Sequence, residues 1–308
     1  MTQQPSYFQQ DEFKNRSKKL EELKQLGVNP YPPKFLRSID SAQVHEQYAD
    51  DPVGSSEEAQ EKKTPKVSLS GRLVLSRPMG KNIFAQIQDH SGRMQLMVNR
   101  DFSSVTDYDP ENAGAQPPKP QKLFEKKADL GDIIGITGYL FRTQKGELTV
   151  LVEELTFLCK SLLPLPDKHA GLEDKETRYR KRWLDLIANK DIYDTFATRS
   201  RILKFIRKFF ENEAFLEVET PVLQTIYGGA AARPFTTTLN AFEQKMYMRI
   251  ALEISLKKLL VGGFDRVFEI GKVFRNEGID RTHNPEFTML EAYAANWDYE
   301  DMMLIVEN

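Results

Sequence analysis

The sequence predicts an α+β protein: a small β-barrel, followed by a domain that mixes long helices with antiparallel strands. Three observations carry this. From residue 66 the apolar side chains recur at every second position over five short runs. From about residue 165 the spacing changes to three and four. Two further alternating runs near the end flank a polar, glycine-containing stretch, the pattern of a hairpin.

The chain has 308 residues, which as a soft prior means two domains, and 40% of them are hydrophobic, ample for a core. Formal net charge is −2, so no global basic excess announces nucleic acid, and any RNA contact must be local. The single cysteine, Cys159, excludes a disulfide framework and a multi-cysteine zinc site, and fits a reducing compartment. The opening "MTQQPSYFQQDEF" lacks the basic-then-apolar layout of a signal peptide. No window approaches the ~20 apolar residues of a membrane span. The expectation is a cytoplasmic protein without a membrane partner.

Residues 11–27, "DEFKNRSKKLEELKQLG", predict a charged helix with a partial stripe of Phe13, Leu20, Leu23 and Leu26 and a C-terminal cap at Gly27. A solvated helix and a basic arm steering RNA both fit it. Residues 40–64 are polar, and "GSSEEAQEKKTP" reads as a linker. Residues 1–65 are thus an extension.

"KVSLSGRLVLSR", "NIFAQIQD", "RMQLMVNR", "DIIGITGYLFRT" and "ELTVLVEELTFL" are the five strands. A Pro-rich insertion and the helical "KLFEKKADLG" separate the third from the fourth. Five strands with a helix at that place is the layout of an OB-fold, here 66–164, a common oligonucleotide reader. In "NIFAQIQD" Ile83, Ala85 and Ile87 share one face, so Phe84, Gln86 and Gln88 share the other. Phe84 is therefore expected in solvent with no packing duty, free to stack a base for ~1–3 kcal/mol. A small barrel without a ligand is the alternative.

The second domain is expected over 165–308. "LPLPDK" reads as a stiff hinge, because proline restricts its neighbours too. "KETRYRKRWLDLI" reads as a basic helix, structural with some RNA contact. A long helix follows over 191–212, with Ile192, Phe196, Leu203, Ile206 and Phe210 at three-to-four spacing. It leads into "AFLEVETPVLQ", where Pro221 marks an edge or a break. An exposed edge there invites a symmetric partner; an intramolecular packing edge is the other reading. "YGGAAARPF" has neither GxGxxG nor GK[ST] spacing, but its small residues let backbone approach a ligand closely. "MYMRIALEISLKKLLVGGF" is a strand entering a helix.

The closing hairpin is "FRNEGIDRTHNPEFTMLEAY". Residues two apart in a strand share a face, so Arg275 pairs with Glu277, and Phe287, Met289, Glu291 and Tyr293 line up on the return. A core face would not want that mixture, since unpaired buried charge is costly. A ligand with a phosphate, an aromatic ring and an ammonium group would.

These residues also carry a resemblance. "FLEVETP" resembles motif 1 and "FRNEGIDRTHNPEF" resembles motif 2 of the class II aminoacyl-tRNA synthetases. "GGAAARPF", "RIALEISLKKLLVGGFDRVFEIGKVFRNEG" and "LLPLPDKHAGLEDKETRYRKRWLDLI" together resemble the bacterial-type lysyl-tRNA synthetases. The resemblance covers nearly the whole chain. It implies ATP-dependent ligation of L-lysine to tRNA(Lys) through a lysyl-adenylate, with no protein nucleophile. By it, Arg275 bridges the α-phosphate and the lysine carboxylate, Glu277 lies on the adenine side, Phe287 stacks on adenine, and His283 and Asn284 lie near the phosphates. Gly229, Glu253, Glu291 and Tyr293 complete the lysine pocket. Without the family, Glu253 could equally be an acid at a helix start, and Tyr293 an ordinary strand tyrosine. In the OB-fold, Phe84 matches the position that stacks an anticodon base, and Arg72, Gln95 and Glu147 match positions that read base edges. The family implies a homodimer through motif 1.

There are departures. "ALE" stands where relatives have "APE", Thr282 stands where many have arginine, and "AANWDY" replaces "MAYADY". The sequence given stops at Asn308, before the glycine-rich motif 3 and the acidic residues that bind magnesium in the family. The expectation is a truncated class II catalytic domain with no metal ligands of its own, inactive alone and active within a longer polypeptide. An RNA-binding module with a non-functional catalytic half stays open. So, less favoured, does aspartate or asparagine specificity, against which the acidic pair Glu253 and Glu291 argues.

Overall fold

The protein is described by a computed structural model covering residues 6–113, 117–166, 172 and 174–308. Part of the expected hinge, "LPLPDK", lies outside the described residues. The chain divides into two compact units, 1–188 and 189–308.

In the first unit α1 (Asp11–Gln25) buries Leu20 and Leu23 as the stripe requires. It ends on Gly27 at φ +83°, where the Val28 N–H reaches the Leu23 carbonyl and the Gly27 N–H the Lys24 carbonyl, the Schellman closure. This helix is not a free arm: buried Arg16 donates to the carbonyls of Leu130, Ser161 and Leu163, and Lys19 pairs with Asp129. Two short helices follow, α2 (Ser41–Gln47) and α3 (Ser56–Gln60), each opened by a reciprocal capping box, Asp40 with Gln43 and Ser55 with Glu58. The stretch read as a linker is therefore partly helical, and its Ala59 is fully buried.

The barrel consists of β1 (Lys66–Met79), β2 (Asn82–Gln88), β3 (Arg93–Asn99), β5 (Ile133–Arg142) and β6 (Leu148–Cys159). The insertion contributes the two-residue β4 (Ser104–Val105) and α4 (Pro120–Lys127) ahead of β5. The order β3-β2-β1-β5-β6 closes on itself through parallel β3–β6 pairing, from Gln95↔Thr149 to Val98↔Val152. Ile83, Ala85, Ile87, Met94 and Leu96 point inward and are fully buried, so the period-two reading holds along β1 and β2, whereas β5 and the first half of β6 are buried on both faces. Beyond it, α5 (Lys175–Arg180) and α6 (Arg182–Ala188) replace the single helix read there, with a break at Lys181. Buried Asp185 takes Arg178 at 2.9 Å and Arg182, so part of that basic charge is structural.

The second unit opens with α7 (Lys190–Asn212). The expected strand around Pro221 is split in two: β7 (Leu216–Glu217) and β8 (Leu223–Gln224) join different sheets, because proline has no N–H to carry a ladder through. Then come β9 (Thr236–Leu239), β10 (Gln244–Met248), α8 (Glu253–Val261), β11 (Arg266–Phe274), β12 (Glu286–Ala294) and α9 (Tyr299–Glu307). The sheets run β8-β10-β9 and β12-β11-β7. Phe210 of α7 stacks on Phe268 of β11 at 4.8 Å between ring centroids. Leu252, Leu256, Val267 and Val273 form a second core beneath the hairpin. Among the described residues no helix is long and apolar enough to cross a membrane.

Candidate functional site

The β11–β12 register sets Phe287, Met289, Glu291 and Tyr293 opposite Val273, Gly271, Glu269 and Val267. The outgoing strand differs from expectation. It ends at Phe274, so Arg275 and Glu277 lie beyond it. The Arg275 N–H still reaches the Pro285 carbonyl at 2.9 Å, but the Asn276 N–H turns to the Arg233 carbonyl at 2.7 Å. Glu277 Oε1 accepts the Arg233 N–H at 3.3 Å. The small-residue loop thus takes over the hydrogen bonds that would have prolonged the strand.

Residues 250–253 are the spine of the site. Arg275 Nε donates to the Ile250 carbonyl at 3.3 Å, and its guanidinium lies 5.3 Å from the centre of the Phe287 ring. Glu291 accepts the Leu252 N–H on Oε1 and the Tyr293 hydroxyl on Oε2, both at 3.0 Å. Glu253, the first residue of α8, takes Lys257 Nζ at 2.6 Å. Gly229 has φ +86°, and a Cβ there would come 2.9 Å from the Cβ of Glu253 and 3.1 Å from that of Ala251. A side chain at 229 is excluded twice, by conformation and by space. Burial raises the Tyr293 pKa, and the neighbouring Glu291 and Glu253 carboxylates raise it further, so the phenol stays protonated as a donor.

The structure therefore brings Gly229, Glu253, Glu291 and Tyr293 together, with Arg275 anchored on the same spine and Phe287 half-buried beside it. His283 and Asn284 are exposed in the loop between the strands. His283 Nδ1 lies 2.8 Å from Asp280, whose carboxyl is held well below the usual range, first by the Thr282 N–H and also by the His283 side chain.

On the barrel, Arg72, Phe84 and Gln95 lie on the outer face. The cross-strand pairs Arg72↔Gln88, Gln86↔Gln95 and Phe84↔Met97 set them at successive outward positions along β2, from Phe84 to Gln88. Gln95 donates to Thr149 Oγ1 at 2.9 Å, and Arg72 to the Gly131 carbonyl at 2.8 Å. Glu147 is exposed just before β6. Phe84 departs from expectation. It is half-buried at the edge of a small cluster of Ala59, Met97, Tyr139, Phe141 and Leu151, because α3 lays Ala59 over this side of the barrel.

Comparison with known proteins agrees with both halves. The family described as tRNA synthetases class II (D, K and N) matches residues 174–308, and the OB-fold nucleic acid binding domain matches 67–158. The lysine–tRNA ligase of Chlamydia caviae is 60% identical over 98% of this chain, that of Chlamydia felis 58% over 100%, and that of Listeria monocytogenes 48% over 96%. Residues 174–308 thus carry a class II tRNA synthetase domain, behind an OB-fold domain. The chain spans 56–58% of the length of those relatives.

Sequence reasoning missed one part of the second unit. Arg249 and Glu269 form a buried ion pair at 2.6 Å. Arg249 also donates to the carbonyls of Lys272 and Thr220, and Glu269 accepts the Thr220 N–H and hydroxyl. Gly271 leaves the room, since a Cβ there would come 2.3 Å from the guanidinium. The signal was available: a glutamate inside the apolar run "RVFEIG" needs a buried partner. Among the described residues no group of three or more His, Cys, Asp or Glu is arranged to hold a metal ion.

Proposed function

We propose that this chain supplies the amino-acid, ATP and anticodon recognition of a lysine–tRNA ligase. The observation that carries the reading is the polarity along residues 250–253: a guanidinium anchored at Ile250, and two carboxylates anchored at Leu252 and Glu253. Lysine, with a carboxylate and its α-ammonium at one end and the ε-ammonium at the other, meets the guanidinium with its carboxylate and the two carboxylates with its ammonium groups. Arg275 then lies between the substrate carboxylate and the α-phosphate of ATP, where a planar fork serves two oxyanions. Phe287 and Glu277 face the adenine, and His283 and Asn284 the phosphates. The lysine carboxylate attacks the α-phosphate and pyrophosphate leaves; a hydroxyl at the tRNA 3′ end then attacks the lysyl carbonyl of the adenylate, and AMP leaves. The chain's part is positioning and charge stabilisation.

Arg72, Phe84, Gln95 and Glu147 would read the splayed anticodon bases of tRNA(Lys). Magnesium would accompany ATP, and no residue of this chain is assigned to it. A homodimer through the motif 1 region is supported by apolar side chains exposed along α7 and β7, Ile202, Phe205 and Leu216 among them. A cytoplasmic location follows from the role in translation.

The test is amino-acid-dependent ATP–pyrophosphate exchange by the polypeptide that carries this chain. Exchange with lysine and none with aspartate or asparagine is the expected result. Exchange driven by either of those two would replace the lysine assignment.

A further inference from the structure

One cation in the candidate pocket belongs to the protein itself. Lys257 lies one helical turn after Glu253, and its Nζ sits 2.6 Å from Glu253 Oε1. The same ammonium lies 5.7 Å from the centre of the Tyr293 ring. A Glu–Lys pair four residues apart on a helix is ordinarily a surface contact of small value. Here the aromatic partner comes from β12 and not from α8, and its hydroxyl donates to Glu291. Glu253 Oε2 meanwhile faces the glycine loop, 3.5 Å from where a Cβ of Gly229 would stand. Lys257 thus presents a primary ammonium to a carboxylate and an aromatic face within the pocket. Those are the groups that a substrate ammonium would meet there.

We propose that Lys257 is a resident counter-cation of the amino-acid pocket, which holds the Glu253 carboxylate while the site is empty and competes with the ammonium group of the incoming substrate. The inference rests on the lysine-binding reading above. Glu253 and Glu291 are two carboxylates on one short spine, and one internal cation lowers their mutual repulsion in the empty site. The Lys257 side chain is 54% exposed on a long flexible stem, so it can swing into water when substrate arrives. Its departure leaves both carboxylates for a ligand that carries two ammonium groups.

The competition fixes the sign of the test. Direct binding of L-lysine is measured by titration calorimetry on the polypeptide that carries this chain, with ATP binding measured alongside. Lys257→Met keeps the stem and removes the charge. It is expected to bind lysine about three- to tenfold more tightly, the combined size of a helix ion pair and a weak cation–aromatic contact, with ATP affinity unmoved. Lys257→Arg, which keeps the charge, is expected to return lysine affinity to the native value. Unchanged or weaker lysine binding by Lys257→Met would overturn the proposal, since Lys257 would then be inert or would orient Glu253 for the substrate. If the native protein binds no lysine at all, the pocket assignment itself falls, and the proposal with it.

Discussion

The outer face of the barrel and the hairpin pocket hold their polar side chains in different ways. On the barrel, Phe84 and Gln95 hang from strands whose other face is the core; the alternation that buries Ile83, Ala85 and Leu96 turns them outward, and single bonds from Gln95 to Thr149 and from Arg72 to Gly131 add to it. In the hairpin unit the key groups are fixed by hydrogen bonds to distant backbone. Glu291 is held by Leu252, Glu277 by Arg233 and Arg275 by Ile250. A face built by periodicity should tolerate a single substitution with a local loss. A site built on cross-bonds should transmit it.

The largest expected effect is at the buried pair beneath the pocket. Glu269→Ala leaves Arg249 buried without its counter-charge, which costs about 3–5 kcal/mol. Thermal unfolding followed by tryptophan fluorescence in a Trp183→Phe background, where Trp297 alone reports, should show the second unit melting well below the protein with Glu269 intact. An unshifted transition would mean the pair holds nothing together. Next, Arg275→Ala should lower lysine-dependent pyrophosphate exchange by roughly 10²- to 10³-fold, the size of a lost oxyanion contact. A variant within tenfold of native would remove Arg275 from the reaction.

The barrel gives a smaller response. Phe84→Ala should weaken binding of a lysine anticodon stem-loop by ~1–3 kcal/mol. Because Phe84 also packs against Met97 and its neighbours, about 1 kcal/mol of stability should go with it, below the ~3–5 kcal/mol of a fully buried phenylalanine. Loss of stability with unchanged RNA affinity would make it a packing residue alone.

The smallest effect is a pH dependence at the β2–β3 turn. Burial opposes the Asp89 charge, but hydrogen bonds from Ser91, Ser41 and Gly92 outweigh it and bring the carboxyl down to about 2. A depressed carboxyl stabilises the fold above its ordinary value of 3.8, and that contribution fades as pH falls toward 2. Denaturation between about pH 4 and pH 2 should therefore be shallower in Asp89→Asn than in the native protein. Equal slopes would show that the turn does not depend on this charge.

Much of this was legible in the sequence, for physical reasons that differ by region. The barrel order follows from period-two runs and the placement of α4. The cap at Gly27 and the break at Pro221 follow from backbone chemistry at single residues. What stayed hidden depended on contacts between remote segments. No local pattern says that α3 would cover Phe84, or that Arg233 would take the hydrogen bonds at the end of β11. The pocket residues were reached through resemblance to a family. Spacing alone gave the shared face of Phe287, Met289, Glu291 and Tyr293, and it wrongly carried the outgoing strand through Arg275 and Glu277. The buried charges Asp132 and Glu269 stood in the open as lone acids in the apolar runs "GDIIG" and "VFEIG". Their partners, Lys160 and Arg249, could be paired with them only in three dimensions.

The most direct test of two separately built recognition sites is one variant read twice. Glu291→Gln removes the charge that Leu252 and Tyr293 hold in place, and both L-lysine and anticodon stem-loop binding are measured on it. Lysine affinity is expected to fall at least tenfold, the size of a lost charge-assisted contact of about 1.5–3 kcal/mol, while stem-loop affinity stays at the native value. Undiminished lysine binding, or a parallel loss of both ligands, would contradict two separately built sites.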